Sequence, residues 1–288
     1  MALAIATNNA ALNAAASASS VNRDMETSMA RLSSGKRINS ASDDAAGVAI
    51  SSRLSAEIRG TDQAIRNSLD GQALIDTAEG AHKEIENILQ RMREVGVQAA
   101  NDTNNDQDRS NLQAEMDAML TEIDRIAGTT TWAGASLMAD DAAATVFSFQ
   151  VGAATGDKNQ ISVSINGMNG DALSLSTGGT SDLFVTDNDA DGTGQDDALA
   201  AVTLIDDAIK TVNIQRSKLG AVSNRLTHTV NNLTNISSNL SAAKGGIEDA
   251  DFALETTNLA KNQILQQAST AMLTRANTSK QNVLSFLQ

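Results

Sequence analysis

IDDAIKTVNIQRSKLGAVSNRLTHTVNNLTNISSNLSAAKGGI, residues 205–247, decides the fold. Ile205, Val212, Leu219, Leu226, Leu233, Leu240 and Ile247 recur every seven residues without a miss. Ala208, Val222, Ile236 and Ala243 form a weaker second row, which Gln215 and Thr229 interrupt. A seven-residue apolar repeat keeps one face of a helix turned toward a partner, so this is a coiled-coil seam over about six heptads. The polar interruptions trade stability for register.

Working outward, a second seam runs Leu74, Ala78, Ala81, Ile85, Ile88, Met92, Val95, Ala99, with Ile58 and Ile65 extending it backward. A third, shorter one runs Leu112, Met116, Met119, Ile123, Ile126. Asn101-Asp102-Thr103-Asn104-Asn105-Asp106 separates them and reads as a tight helix–helix connection, because these side chains cap helices and favour turns. At 1.5 Å per residue, 61–100 predicts a helix of roughly 60 Å and 205–247 one of roughly 65 Å. Two long rods and a shorter third make a bundle.

Between 130 and 200 the pattern changes. VFSFQVG (146–152) and ISVSING (161–167) alternate apolar and polar, which predicts half-buried strands, and Gly156-Asp157 and Asn166-Gly167 are turn signals. The Gly-, Asp-, Ser- and Thr-rich stretch 168–197 reads as an exposed loop, with a strand at Leu183-Phe184-Val185. The two ends, 1–33 and 250–288, read as helices with stripes too thin to stand alone in water. The expected fold is mainly α: a long antiparallel coiled-coil bundle with paired terminal helices and a small β-hairpin region in the middle. Its expected domains are 1–33 with 250–288, 34–138 with 200–249, and the surface region 139–199.

Composition narrows the function. Of 288 residues 41% are hydrophobic but only 2% aromatic, so the core is aliphatic and thin. With no Pro, no helix is broken by ring geometry, and with no Cys there are no disulfides and no thiolate chemistry. The net charge of −14 disfavours a nucleic-acid binder, which needs a basic face. The acid is concentrated: residues 139–200 hold ten Asp against one base, Lys158, so the middle is expected to face solvent. No window approaches a membrane span, and the first residues lack the basic and apolar regions of a secretory signal.

No active site emerges. His82 and His228 fall on the flanks of seams and read as surface helix residues. Met92, Met116, Met119 and Met272 read as core filling. Residues 187–192, DNDADG, match the first half of a calcium loop, but position 12 is Ala198 instead of the bidentate Glu, leaving a weak calcium site as the hypothesis. No cofactor is expected. The middle holds no His, so no zinc-protease motif is present there.

RLSSGKRINSASDDAAGVAIS (31–51), LQRMREVGVQAAN (89–101), LQAEMDAMLTEIDRIAG (112–128) and the terminal LAKNQILQQASTAMLTRANTSKQNVLSFLQ closely resemble bacterial flagellin, over about 1–138 and 198–288. The resemblance implies a structural subunit of the flagellar filament, used for swimming and located outside the cell. The tail helices would form the inner tube and the bundle the outer tube, with the β region facing outward. It implies export in an unfolded state by the flagellar type III pathway. The implied partners are copies of the same chain, the flagellar cap, hook-junction proteins and an export chaperone. In flagellins recognised by Toll-like receptor 5 the contacts lie on the long and short N-terminal bundle helices. That implies receptor contacts at Arg91 and Glu115, with Val95 where Leu is common; the alternative role of Arg91 and Glu115 is pairing with neighbouring subunits. A hook–filament junction protein is the nearest alternative, and a secreted coiled-coil effector the alternative from another class.

Overall fold

The computed structural model describes residues 7–138, 144–177, 180–186 and 194–285. The elements in order are α1 (Asn9–Ser34), α2 (Ala45–Ala99), α3 (Asp106–Thr129), β1 (Thr131–Trp132), β2 (Ala135–Ser136), β3 (Thr145–Gln150), β4 (Gln160–Ile165), β5 (Ser176–Thr177), β6 (Thr180–Ser181), α4 (Gly194–Glu248) and α5 (Phe252–Ser285). This is the predicted order, but α2 and α4 run to 55 residues each, longer than their seams alone indicate. Hydrogen bonding at the ends explains the extra length. The Asp44 carboxylate accepts the Gly47 amide at 2.9 Å and so starts α2 well before its seam. Asp196 and Asp197 place negative charge on the first turn of α4, where the helix dipole favours it. No described helix is long and apolar enough to cross a membrane. The fold divides into two units, residues 59–237 and residues 1–58 with 238–288.

In the unit 59–237, α2 and α4 run antiparallel. Arg93 pairs with Asp206 at 2.6 Å, Gln72 Nε2 donates to Thr227 Oγ1 at 2.7 Å, and Ser237 Oγ donates to Asp62 at 2.9 Å. Ile205, Val212, Leu219, Leu226 and Leu233 are all buried, as the heptads predict. On α2 the predicted Leu74, Ala78, Ile85, Met92, Val95 and Ala99 are buried, but Ala81 and Ile88 are only half-buried. His82 and Leu89 take their places. An α-helix of 3.6 residues per turn drifts relative to a seven-residue repeat, so its buried stripe moves one residue sideways along a long rod. α3 does the same, sinking Leu120 and Ala127 beside Met116 and Ile123, while Leu112, Met119 and Ile126 pack at the edge.

The two predicted strands pair as an antiparallel hairpin, with Phe147 opposite Val163 and Phe149 opposite Ile161. Ile161, Val163 and Ile165 are buried, while Val146, Ser148, Ser162 and Ser164 face out. The hairpin lies on α2 because that helix carries glycines there. A Cβ at Gly60 would stand 2.8 Å from Ala153 Cβ, and one at Gly71 would stand 3.2 Å from the Phe149 ring. Asn67 lies between them and donates to the Gln150 carbonyl at 3.0 Å. Gly71→Val drives two further methyl groups into Phe149. It is expected to destabilise the chain by about 2 kcal/mol, the cost of overpacking a fitted contact, read as a lower thermal midpoint.

The described residues between 168 and 185 do not form an exposed loop. Met168, Leu173, Leu175, Leu183 and Val185 are buried in the bundle's core. The segment 183–185 forms no strand. The Gln113 side chain of α3 takes the place of a neighbouring strand: its Nε2 donates to the Leu183 carbonyl and its Oε1 accepts the Val185 amide, both at 2.8 Å. A half-buried glutamine satisfies both backbone groups at once, which hydrophobic patterning does not register. Gln215 is 1% exposed and donates to the Ser164 carbonyl at 2.7 Å, so the break in the second row is where α4 meets β4 instead of a helix.

The small hairpin β1–β2 turns through Ala133 and Gly134, both with positive φ (50° and 86°). Alanine pays a steric penalty there that asparagine largely avoids. Ala133→Asn is expected to stabilise the unit by about 1 kcal/mol, measurable by denaturant titration.

In the other unit, α1 and α5 pair antiparallel. Asn8 Nδ2 donates to the Ala276 carbonyl at 3.1 Å, Gln266 Nε2 to Asn22 at 2.8 Å, and Arg31 pairs with Glu255 at 3.0 Å. Leu240 and Ile247, the last two heptad positions, are half-buried in this unit.

Candidate interaction surfaces

The stretch RLSSGKRINSASDDAAGVAIS closes the unit of the chain ends. Arg31 holds Glu255, and Gly35 ends α1 in the left-handed region at φ +70°, where glycine alone is unstrained. The chain then runs against residues 247–250: the Arg37 amide donates to the Glu248 carbonyl at 2.6 Å, and the Ala250 amide to the Gly35 carbonyl at 3.0 Å. Lys36 Nζ lies 3.1 Å from Glu248, and Arg37 Nη2 donates to the Ile247 carbonyl at 2.8 Å. Hydrogen bonding from Ser51 and the nearby Lys36 and Lys244 hold the Glu248 carboxyl below its ordinary range. Asp43 accepts the amides of Ser40 and Asn39 at 2.8 and 3.0 Å, which also lowers its pKa. The motif is therefore a built corner, with a side-chain partner at nearly every polar position.

Among the described residues of α5, several large apolar side chains are exposed. Leu254, Leu265 and Met272 are 58%, 40% and 61% exposed. Spaced by eleven and seven residues, they share one helical face. Met272 is therefore not core filling within this chain. A helix with apolar residues off its paired face requires a further surface to cover them.

In the unit 59–237 the bundle core carries one ionisable ring. His82 is fully buried instead of lying on the surface, and neither ring nitrogen has a hydrogen-bond partner. Burial lowers its pKa to about 4; the Ala78 carbonyl opposes the shift and the charge of Arg216 adds to it. The drift of the α2 stripe brings it inward, one residue past predicted Ala81. Arg216 of α4 bonds Glu86 and lies 3.5 Å from Glu79, one turn either side of His82. His228 is exposed, as expected.

Arg91 and Glu115 are brought together: Arg91 Nη2 and Nε donate to Glu115 Oε1 at 2.9 and 3.2 Å, and Nη1 to Glu94 at 3.0 Å. These bonds raise the Arg91 pKa. Val95, one turn beyond, is fully buried. The seam residues Ile85 and Met92 lie in the same core, with Ile88 at its edge. The acidic turn 187–192 lies outside the described residues. Among the described residues, no group of three acids and histidines is placed to hold a metal. The cleft between α2 and the β3–β4 hairpin is lined by Gln63, Asn67, Gln150 and Gln160, whose amides bond largely to one another and to nearby backbone.

The chain's relatives have the same helical ends. The bacterial flagellin N-terminal helical region matches residues 5–143, and the bacterial flagellin C-terminal helical region matches 202–287. A flagellin of Bacillus subtilis is 44% identical over 98% of this chain and 98% of its own length. One of Halalkalibacterium halodurans is 44% identical over 91% and 92%. Among solved structures, a putative flagellar hook-associated protein from Vibrio parahaemolyticus shares the fold at a TM-score of 0.59 and 20% identity, covering 72% of this chain and all of that one. With both helical regions matched and near full-length relatives at this identity, the chain belongs to the flagellin family, and is a structural subunit of the flagellar filament and not an enzyme.

Proposed function

We propose that the paired ends, α1 with α5, form the inner tube of the filament, that the bundle 34–138 with 200–249 forms the outer tube, and that the β3–β4 hairpin lies on its outward side. The observation that carries this reading is the row Leu254, Leu265 and Met272, an apolar face that α1 leaves uncovered. Ends that complete their apolar burial only against other copies couple ordering to assembly. Head-to-tail contacts of this kind build open helices. The same property suits export in an unfolded state through a narrow channel, by the flagellar type III route, to an extracellular filament bounded by hook-junction and cap proteins. An export chaperone would shield the same α5 face beforehand.

Electron microscopy of the purified protein after seeding in a kosmotropic salt, which strengthens apolar burial, tests this reading. Hollow filaments with the terminal helices lining the channel are the expected result; filaments with the bundle innermost would overturn it. On the outer surface, Toll-like receptor 5 would engage the exposed Arg91–Glu115 pair, with buried Val95 positioning α2 beneath it. A reporter-cell assay on monomer should then show a reduced response for Arg91→Glu and for Glu115→Lys.

A further inference from the structure

Residues 208–247 contain no Asp or Glu, although the chain carries a net charge of −14. Of the bases in that run, Arg216 is held by Glu79 and Glu86, and Lys244 lies 3.9 Å from Glu248. Lys210, Lys218 and Arg225 are exposed and make no ion pair with any described residue. At 100° per residue they fall within an arc of roughly 80°, together with Ile214 and Ala221. Ile214 is 49% exposed at the centre of that face. A solvated helix face ordinarily mixes both signs of charge, so three like charges around a bare isoleucine are a surface for an acidic partner.

The same unit carries a matching surface. On α3, Glu115 and Glu122 are spent on Arg91 and Arg125, Asp108 on the helix cap and Asp124 on the Gly170 amide. Asp106 and Asp117 are exposed and have no cation among the described residues; Asp117 accepts only the neutral Gln113 side-chain amide, at 2.8 Å. Eleven residues apart, they share a face with Ser110, Ala114 and Thr121, all small and exposed. Small side chains let a neighbouring helix approach closely, and the two acids supply the missing charge.

We propose that, in the filament, the Lys210, Ile214, Lys218 and Arg225 face of α4 docks on the Asp106 and Asp117 face of α3 in a neighbouring copy. The inference rests on the filament reading and names one of its lateral contacts. Because the two faces are different parts of one chain, the contact is heterologous and propagates instead of closing a dimer. Opposite charge across it sets register and association rate more than total affinity.

Charge reversal and exchange in the full chain test the pairing. Lys210→Glu/Lys218→Glu/Arg225→Glu places like charges on both faces, as does Asp106→Lys/Asp117→Lys. Each is expected to raise the critical concentration for seeded growth at least about tenfold, with circular dichroism and thermal midpoint near wild type. The chain carrying all five substitutions restores opposite charges with the signs exchanged. It is expected to polymerise within about threefold of the wild-type critical concentration. Unimpaired growth of the triple variant, or no rescue in the fivefold variant, would overturn the pairing while leaving the filament reading intact. Failure of the wild-type chain to grow on seeds would overturn that reading and the pairing with it.

Discussion

Removing residues 250–288 is expected to abolish filament growth completely while leaving the bundle helical. The truncation deletes α5 and with it Leu254, Leu265 and Met272, which lie exposed on one face. It also strips α1 of its partner and leaves Arg31 without Glu255. The core of residues 59–237, from Leu74 on α2 to Leu233 on α4, loses nothing. Far-ultraviolet circular dichroism should therefore lose the share of α5 and of its partner α1 while the signal of the bundle remains, and electron microscopy on seeds should show no elongation. A gentler variant separates loss of the helix from loss of its outer face. Leu254→Asp/Leu265→Asp/Met272→Asp keeps the pairing with α1 but places carboxylates where a neighbour must dock. It too should stop growth. Normal filaments from that variant would show that the outer face of α5 is not an assembly surface.

Acid should weaken the bundle through His82. Burial holds its folded pKa at about 4 against the ordinary 6.5. Folding therefore favours the neutral ring. Above pH 6.5 both states are neutral and nothing is lost. As pH falls from 6.5 toward 4 the unfolded chain takes up a proton that the folded chain refuses, and about 3 kcal/mol of stability disappears. The cost comes chiefly from burial of the ring; the Ala78 carbonyl offsets only part of it and the charge of Arg216 adds to it. His82→Leu removes the titrating group and fills the site with apolar volume. Its thermal midpoint should fall distinctly less between pH 7 and pH 4.5 than that of the wild-type chain. Acid losses from Asp43, Glu122 and Glu248, whose pKa values are also lowered, are common to both proteins and cancel in the comparison. Parallel profiles would show that His82 does not govern the acid response.

The seam residues were legible because burial repeats at intervals the helix sets, so position in the chain is enough to place Ile205 through Leu233 on one face. His82 and Leu89 were not, because a seven-residue template does not follow the drift of a 55-residue helix. The hairpin strands showed in their alternation, but their seat on α2 did not. Gly60 and Gly71 in a helical pattern read locally as weak helix formers, and only the approach of Ala153 and Phe149 gives them meaning. For the same reason residues 168–185 read as loop. Gln113, about seventy positions earlier in the chain, holds the Leu183 carbonyl and the Val185 amide there.

Of the candidate contacts, Arg91 and Glu115 were readable only by resemblance, as parts of separate motifs. Their joining into one ion pair follows from how α3 packs on α2. The basic face of α4 lay open in the sequence as forty residues without an acid. Which of its cations are satisfied within the chain could be decided only by the helices brought beside it. By itself, the sequence determined the family, the order of elements and the apolar faces, because periodicity and motif are properties of the chain taken in line. The tertiary structure decided which polar groups are buried, which glycines admit a neighbour and which charges remain for another subunit, because each of those depends on atoms distant in sequence.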